Sequence, residues 1–188
     1  MKLVVGLGNP GREHENTRHN AGYWWVDRLA ALAGASLRAE ARFHGYAGRL
    51  AANGKECWLL KPTTFMNVSG RAVQALAQFY KIALADVLVV HDELDLPPGE
   101  VKLKKGGGSA GHNGLKDITA HLGPDYWRLR IGIGRPASAE HMVNYVLNAP
   151  RREELVLIED AMTRSLDVWP LLLECKAEAA MLKLHTKA

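Results

Sequence analysis

The sequence predicts a three-layer α/β sandwich: one mixed, mostly parallel sheet with helices on both faces, in a single domain over residues 1–188. Three observations predict it. Short apolar runs at Leu3–Val5 and Val87–Val90 read as buried central strands. Segments with helical spacing lie between these runs and further strand-like stretches, an interleaving that favours α/β architecture. No linker, repeat or low-complexity tract divides the chain, and 188 residues at 47% hydrophobic content are enough for one sizeable core.

Taken in order, Leu3–Val5 is followed by Gly6, Gly8, Pro10 and Gly11, which impose a tight turn. Tyr23–Ala33 reads as a helix that stops at Gly34. Tyr46–Ala52 and Cys57–Lys61 read as strands joined by Asn53-Gly54, a hairpin signal, and Pro62 ends the second. Thr63 or Thr64 is suited to cap a helix whose apolar positions are Val68, Ala72, Val73, Leu76, Ala77 and Tyr80. Val87–Val90 then runs into His91-Asp92-Glu93, and Pro97-Pro98-Gly99 turns the chain. Val101–Lys105 reads as a strand and Gly106–Gly108 as a mobile connection. Leu115–Leu122 reads as a helix, and Trp127–Gly134 as a strand with Arg128 and Arg130 on one face. Met142–Leu147 and Glu153–Leu173 are helical, Pro170 kinking or dividing the second. The tail from Lys176 to Ala188 is a basic helical or frayed end.

Composition narrows the function. No run is long and apolar enough to span a bilayer, and the N-terminus enters a strand directly, so no membrane segment or signal peptide is expected. Cys57 and Cys175 lack metal-type spacing, which predicts reduced thiols and a cytoplasmic protein. The net charge of +4 permits a polyanionic partner without requiring one.

Several patterns compete for the chemistry. Gly6, Gly8 and Gly11 form a literal G-x-G-x-x-G, but a dinucleotide site needs a helix opening at the glycines, and here Pro10 and a polar stretch intervene. Strand ends are where α/β proteins place their sites, so Asn9 and His19 are candidates for one cleft. His19 and Asp92 both follow apolar strands; if those strands are neighbours, the carboxylate can fix the ring's tautomer and make it a base. The alternative is a capping aspartate and a surface histidine. His91, Asp92, Glu93 and Asp95 read as an acidic turn rather than a metal site, since no second histidine has zinc spacing. Gly107–Gly111 matches G-x-S-x-G around Ser109, yet Lys104-Lys105 and glycines precede it instead of the apolar strand a nucleophile elbow needs. Lys102, Lys104, Lys105, the glycines and His112-Asn113-Gly114 suit an anion site, which Arg128 and Arg130 could extend; a solvated basic strand face fits equally. Asn9, Asn67 and Asn113 lie at element boundaries, where carboxamides either cap turns or bind a peptide. Met66, beside Asn67, is more often core than clamp.

Taken together, six segments resemble the bacterial peptidyl-tRNA hydrolase family: Gly6–Gly11, Thr17–Gly22, Lys61–Gly70, His91–Gly99, Gly106–Asp117 and Arg128–Gly134, in the family's order. The resemblance implies a single-domain α/β monomer, without cofactor or metal, that hydrolyses the ester joining a peptide to the 3′ end of tRNA. It implies His19 as general base, Asp92 as its orienting partner, and Asn9 as the residue that separates N-blocked peptidyl-tRNA from free aminoacyl-tRNA. Phe65, Met66, Asn67 and Asn113 would line the substrate cleft, with His112 beside them. Lys104 and Arg130, with Lys102 near, would match the family's contacts to the tRNA 5′ phosphate. One departure is His14, where the family usually has tyrosine; imidazole can also stack and hydrogen-bond. The rival readings are a non-catalytic RNA-binding α/β domain and a serine esterase using Ser109.

Overall fold

A computed structural model describes residues 1–186. Seven strands form one sheet in the order β2-β3-β4-β1-β5-β7-β6. They are β1 (Leu3–Gly6), β2 (Arg38–Glu40), β3 (Gly45–Ala52), β4 (Lys55–Pro62), β5 (Val87–Glu93), β6 (Val101–Lys105) and β7 (Trp127–Gly132). The central four, β4, β1, β5 and β7, are mutually parallel, and antiparallel strands close both edges. The hairpin forms at the expected place, with Asn53 and Gly54 both at positive φ (52° and 74°), as a two-residue loop between twisted strands requires. The sequence reading missed β2, three residues with no apolar alternation, held only by pairing to β3.

Alternation along the central strands divides the core in two. Val4, Leu88 and Val90 face one layer, where α1 (Ala21–Ala33), α5 (Arg152–Leu166) and α6 (Trp169–Leu173) bring Trp25, Leu29, Ile158 and Leu172. Leu3, Val5 and Val89 face the other, against Val73 and Leu76 of α2 (Ser69–Phe79) and Leu115 and Ile118 of α3 (Asn113–Leu122). Helices α4 (Met142–Val146) and α7 (Ala177–His185) complete the fold. Pro170 does not kink a long helix. It sits in the first turn of α6, where a missing N–H costs nothing, and the chain breaks just before it. The expected threonine cap is also absent: Thr64 Oγ1 donates to Val68 O, and the Gly70 N–H at the start of α2 instead donates to Asp117 of α3 at 2.7 Å. The tail is helical through His185, whose Nε2 accepts the Leu103 N–H at 3.0 Å and so covers part of edge strand β6.

The N-terminal glycines serve close packing. A Cβ on Gly22 would fall 2.3 Å from the Val90 carbonyl oxygen, and one on Gly6 2.3 Å from the Gly22 carbonyl oxygen. Their absence lets the start of α1 press onto β1 and β5, which carries the preceding turn, Arg18–Asn20, to the C-terminal end of the sheet.

Candidate active site

Asp92 is where the elements converge. Two residues beyond Val90, it shares the α1 side of β5, so the turn before α1 brings His19 onto it: Nδ1 of His19 lies 2.8 Å from Oδ2. From the opposite layer, Nε2 of His112 lies 2.8 Å from Oδ1. The carboxylate is therefore shared between two imidazoles, with its side chain only 1% exposed.

Hydrogen bonding assigns both tautomers. Nδ1 of His112 accepts the N–H groups of Gly114 and Leu115 at 3.1 and 3.3 Å, capping α3, so the ring proton resides on Nε2 and is donated to Asp92. His19 donates Nδ1–H to the same carboxylate, which leaves its Nε2 lone pair free. Burial disfavours charge on Asp92, but His19 and His112 more than offset it and hold the carboxyl well below its usual range. Burial likewise opposes charge on His19, yet the Asp92 charge and hydrogen bond prevail and raise its pKa above 6.5.

His19, Asp92 and His112 each offer a ligand atom within 4.8 Å of the others. Their bonding does not suit a metal. The His112 Nε2 lone pair could be freed only by moving the proton to Nδ1, where two backbone N–H groups already point. The acidic run considered from sequence does not assemble: His91 is buried with its Nδ1 on the Asp92 carbonyl oxygen, and Glu93 pairs with Arg130.

Asn9 is held by the residue after His19. Its N–H donates to Asn20 Oδ1 at 2.8 Å, and Asn20 Nδ2 returns a bond to the Asn9 carbonyl at 3.0 Å. The Asn9 side-chain oxygen accepts the Met66 N–H at 2.7 Å, so its NH₂ group is the end left to meet a ligand. Asn9 and His19 nonetheless line two cavities rather than one. His19, Asp92, His112 and Asn113 line a cavity of about 130 Å³ walled by Met142, Val143 and Val146. Asn9 opens on a cavity of about 760 Å³ with Tyr23, Tyr46 and Lys61.

The wall helix α4 is fixed by the residue before His19. Arg18, 6% exposed, donates to Tyr145 O at 2.9 Å, pairs with Glu154 at 3.1 Å, and lies 3.9 Å from the Tyr145 ring centroid.

The other expected residues are spread unevenly. Met66 is buried, its sulfur against Gly114 at the start of α3, while Phe65 and Asn67 are exposed beside it. Asn113 is exposed as the first residue of α3. His112 corrects the anion-site reading: both ring nitrogens are engaged within the protein, so neither is offered to a phosphate. His14 lies 3.8 Å from Glu13 and borders neither cavity. Lys102 stands opposite Arg130 and Lys104 opposite Arg128, making one cationic face; Arg130 is paired with Glu93 at 2.9 Å and Arg128 is buried. Ser109 Oγ makes no hydrogen bond to a histidine among the described residues, and the strand before it ends in exposed lysines. Sequence reasoning missed His112 as the second partner of Asp92, and Asn20 as the clamp on Asn9. Adjacency to His19 was the only available signal for Asn20.

Comparison with known proteins bears on the chain as a whole. The model of the peptidyl-tRNA hydrolase family matches residues 3–188. The chain is 62% identical over 189 residues to the peptidyl-tRNA hydrolase of Methylobacillus flagellatus, covering 100% of this chain and 97% of that protein. It is 59% identical to that of Nitrosospira multiformis over 188 residues, covering 100% and 98%. The crystal structure of peptidyl-tRNA hydrolase from Acinetobacter baumannii superposes with a TM-score of 0.97 at 45% identity, over 99% of this chain and 95% of that one. A short motif could arise on many folds; a match over the whole chain in both sequence and structure does not, and the chain belongs to the peptidyl-tRNA hydrolase family.

Proposed function

We propose that this protein hydrolyses the ester between the peptide and the 3′ end of tRNA in peptidyl-tRNA, with His19 as general base. The observation that carries the reading is the Nε2 lone pair of His19, left free on a cavity because Nδ1–H is committed to Asp92. Water attacks the ester carbonyl as His19 Nε2 takes its proton. The tetrahedral intermediate then expels the ribose 3′ oxygen, which receives that proton, and peptide and tRNA separate. The aminoacyl ester is already activated, so no covalent nucleophile is needed. The Asn113 amide or a nearby backbone N–H would stabilise the oxyanion. A tRNA phosphate on the Lys102/Lys104/Arg130 face would hold the substrate through its backbone. In the same reading the protein works as a cytoplasmic monomer; both cysteines are free thiols, as a reducing compartment favours, and among the described residues no helix is long and apolar enough to cross a membrane.

The deciding experiment is release of N-acetyl amino acid from N-acetyl-aminoacyl-tRNA. A non-catalytic RNA-binding domain would bind the substrate and release nothing. Ser109→Ala and treatment with EDTA are each expected to leave most of the activity in place; loss under either would restore the serine or metal mechanism.

Asn9→Asp is expected to erode the preference for N-blocked substrates. The NH₂ that Asn9 presents can donate to an N-acyl carbonyl, whereas a carboxylate attracts a free α-ammonium. The measurement is the ratio of hydrolysis rates for N-acetyl-aminoacyl-tRNA and aminoacyl-tRNA. An unchanged ratio removes Asn9 from this role.

A further inference from the structure

His91 is a buried histidine with no part in the proton transfer proposed for His19. It is 1% exposed on β5, next to Asp92, and faces the α2/α3 layer as Val89 does. Its Nδ1 lies 2.8 Å from the Asp92 carbonyl oxygen. A carbonyl only accepts, so Nδ1 carries the ring proton and Nε2 is a bare lone pair. That lone pair is buried and meets no donor among the described residues. Burial, with His112 adding to it, pulls the His91 pKa down to about 3, so the ring stays neutral. A buried polar atom left unpaired is costly, and an apolar side chain here would avoid that cost.

The backbone shows what a histidine is needed for. Successive carbonyls of a parallel strand turn alternately to its two neighbours. On β5, Val90 O accepts the Leu7 N–H from the β1 side at 3.0 Å, and Glu93 O accepts the Ile133 N–H from the β7 side at 3.0 Å. Asp92 O therefore turns to the β1 side. A ladder continued past Leu7 would bring it the Asn9 N–H, two residues on. The chain leaves the ladder instead: pairing of β1 with β5 ends at Gly6 and Val90, and the Asn9 N–H goes to Asn20 Oδ1 at 2.8 Å. The bond that places Asn9 thus takes the strand partner from the Asp92 carbonyl, in a residue only 2% exposed. His91 supplies the missing donor. Its ring also packs on that of His112, the centroids 5.2 Å apart at 71°.

We infer that His91 is a positioning residue: its Nδ1–H replaces the absent β1 donor on the Asp92 carbonyl and so holds the Asp92 carboxylate against His19. Its effect on turnover rests on the proposed hydrolysis; its hold on Asp92 does not.

The test compares two substitutions of nearly equal shape. In His91→Asn the amide nitrogen falls where Nδ1 was and keeps the donor; His91→Leu removes it. His91→Phe removes it while keeping a ring. The first readout needs no substrate and follows the pH titration of the His19 ring by NMR. Asp92 raises the His19 pKa, and the charged or titratable groups facing His91, namely His112, Asp92 and Arg128, are present in all three variants. The His19 midpoint should stay near its wild-type value in His91→Asn and fall in His91→Leu and His91→Phe. On N-acetyl-aminoacyl-tRNA, kcat should drop about tenfold in the latter two, with KM little changed, and His91→Asn should recover most of it. A His19 midpoint equal in the Asn and Leu variants, or kcat lost with no movement of the midpoint, means that His91 only supports the fold and overturns the inference. Wild-type nitrogen spectra decide the matter if the variants fail to fold: Nδ1 of His91 should be protonated and Nε2 bare, and a proton on Nε2 overturns the assignment. If the wild type releases no N-acetyl amino acid, the hydrolase reading fails, while the His19 titrations still decide the role of His91.

Discussion

His19→Ala is expected to lower turnover of N-acetyl-aminoacyl-tRNA by roughly 10²–10⁴-fold, the range of a positioned general base. That corresponds to about 3–5 kcal/mol of barrier. Binding of tRNA should persist, because the cations of β6 and β7 are on the far side of β5 from His19. The fold should persist too: the ring is at the surface of a cavity, and the turn that bears it is anchored by Arg18 and Asn20 rather than by His19. The measurement pairs single-turnover hydrolysis with tRNA affinity. A variant that keeps most of its rate removes His19 as the base, and one that loses both rate and affinity implicates the fold.

Asp92→Asn is expected to cost less than loss of His19 but still roughly a hundredfold or more, by analogy with the orienting aspartate of a catalytic triad. The structure supplies a particular reason. Both His19 and His112 donate to Asp92, and an amide has only one oxygen to accept with. Whichever histidine faces the NH₂ must turn or change tautomer. The pH profile carries the second signature. In the wild type, Asp92 raises the His19 pKa above 6.5, so activity falls as pH drops through that raised value. In Asp92→Asn the opposing charge is gone and burial, which lowers the pKa, prevails, so the acidic limb should move to lower pH while the plateau falls. A plateau that drops with no movement of the limb would show that Asp92 does not tune His19. Stability follows the same linkage. His19 contributes below its unfolded value near 6.5 and loses that contribution as pH rises through its folded value. Asp92 contributes above its unfolded value near 4 and loses that contribution on acidification.

The layers were legible in the sequence because each rests on local chemistry. The buried strands are apolar runs, Asn53-Gly54 forces its own turn, and Gly34 ends α1 in the left-handed conformation. Strand β2 was not legible, since its pairing to β3 leaves no pattern in three residues. The His19–Asp92 contact was conditional on β1 and β5 being neighbours, which sheet order alone decides. His112 falls in an anion-site pattern of lysines and exposed N–H groups at a helix start; that its ring bonds Asp92 depends on α3 starting at the same sheet end from the opposite layer. Arg128 and Arg130 alternate identically, yet one is buried and the other paired with Glu93, a difference set by the loop above and the strand beside them.

The dual use of the His112 ring has a consequence for observation. The imidazole that shares Asp92 with His19 is also what receives the first free amides of α3. Those amides can exchange with solvent only when the ring withdraws from them. Hydrogen–deuterium exchange at Gly114 and Leu115 therefore registers how firmly the Asp92 carboxylate is held, in the resting protein and without any tRNA. A ligand that tightens the pair of imidazoles should slow exchange at these two positions selectively, which makes them built-in reporters for compounds that engage the centre.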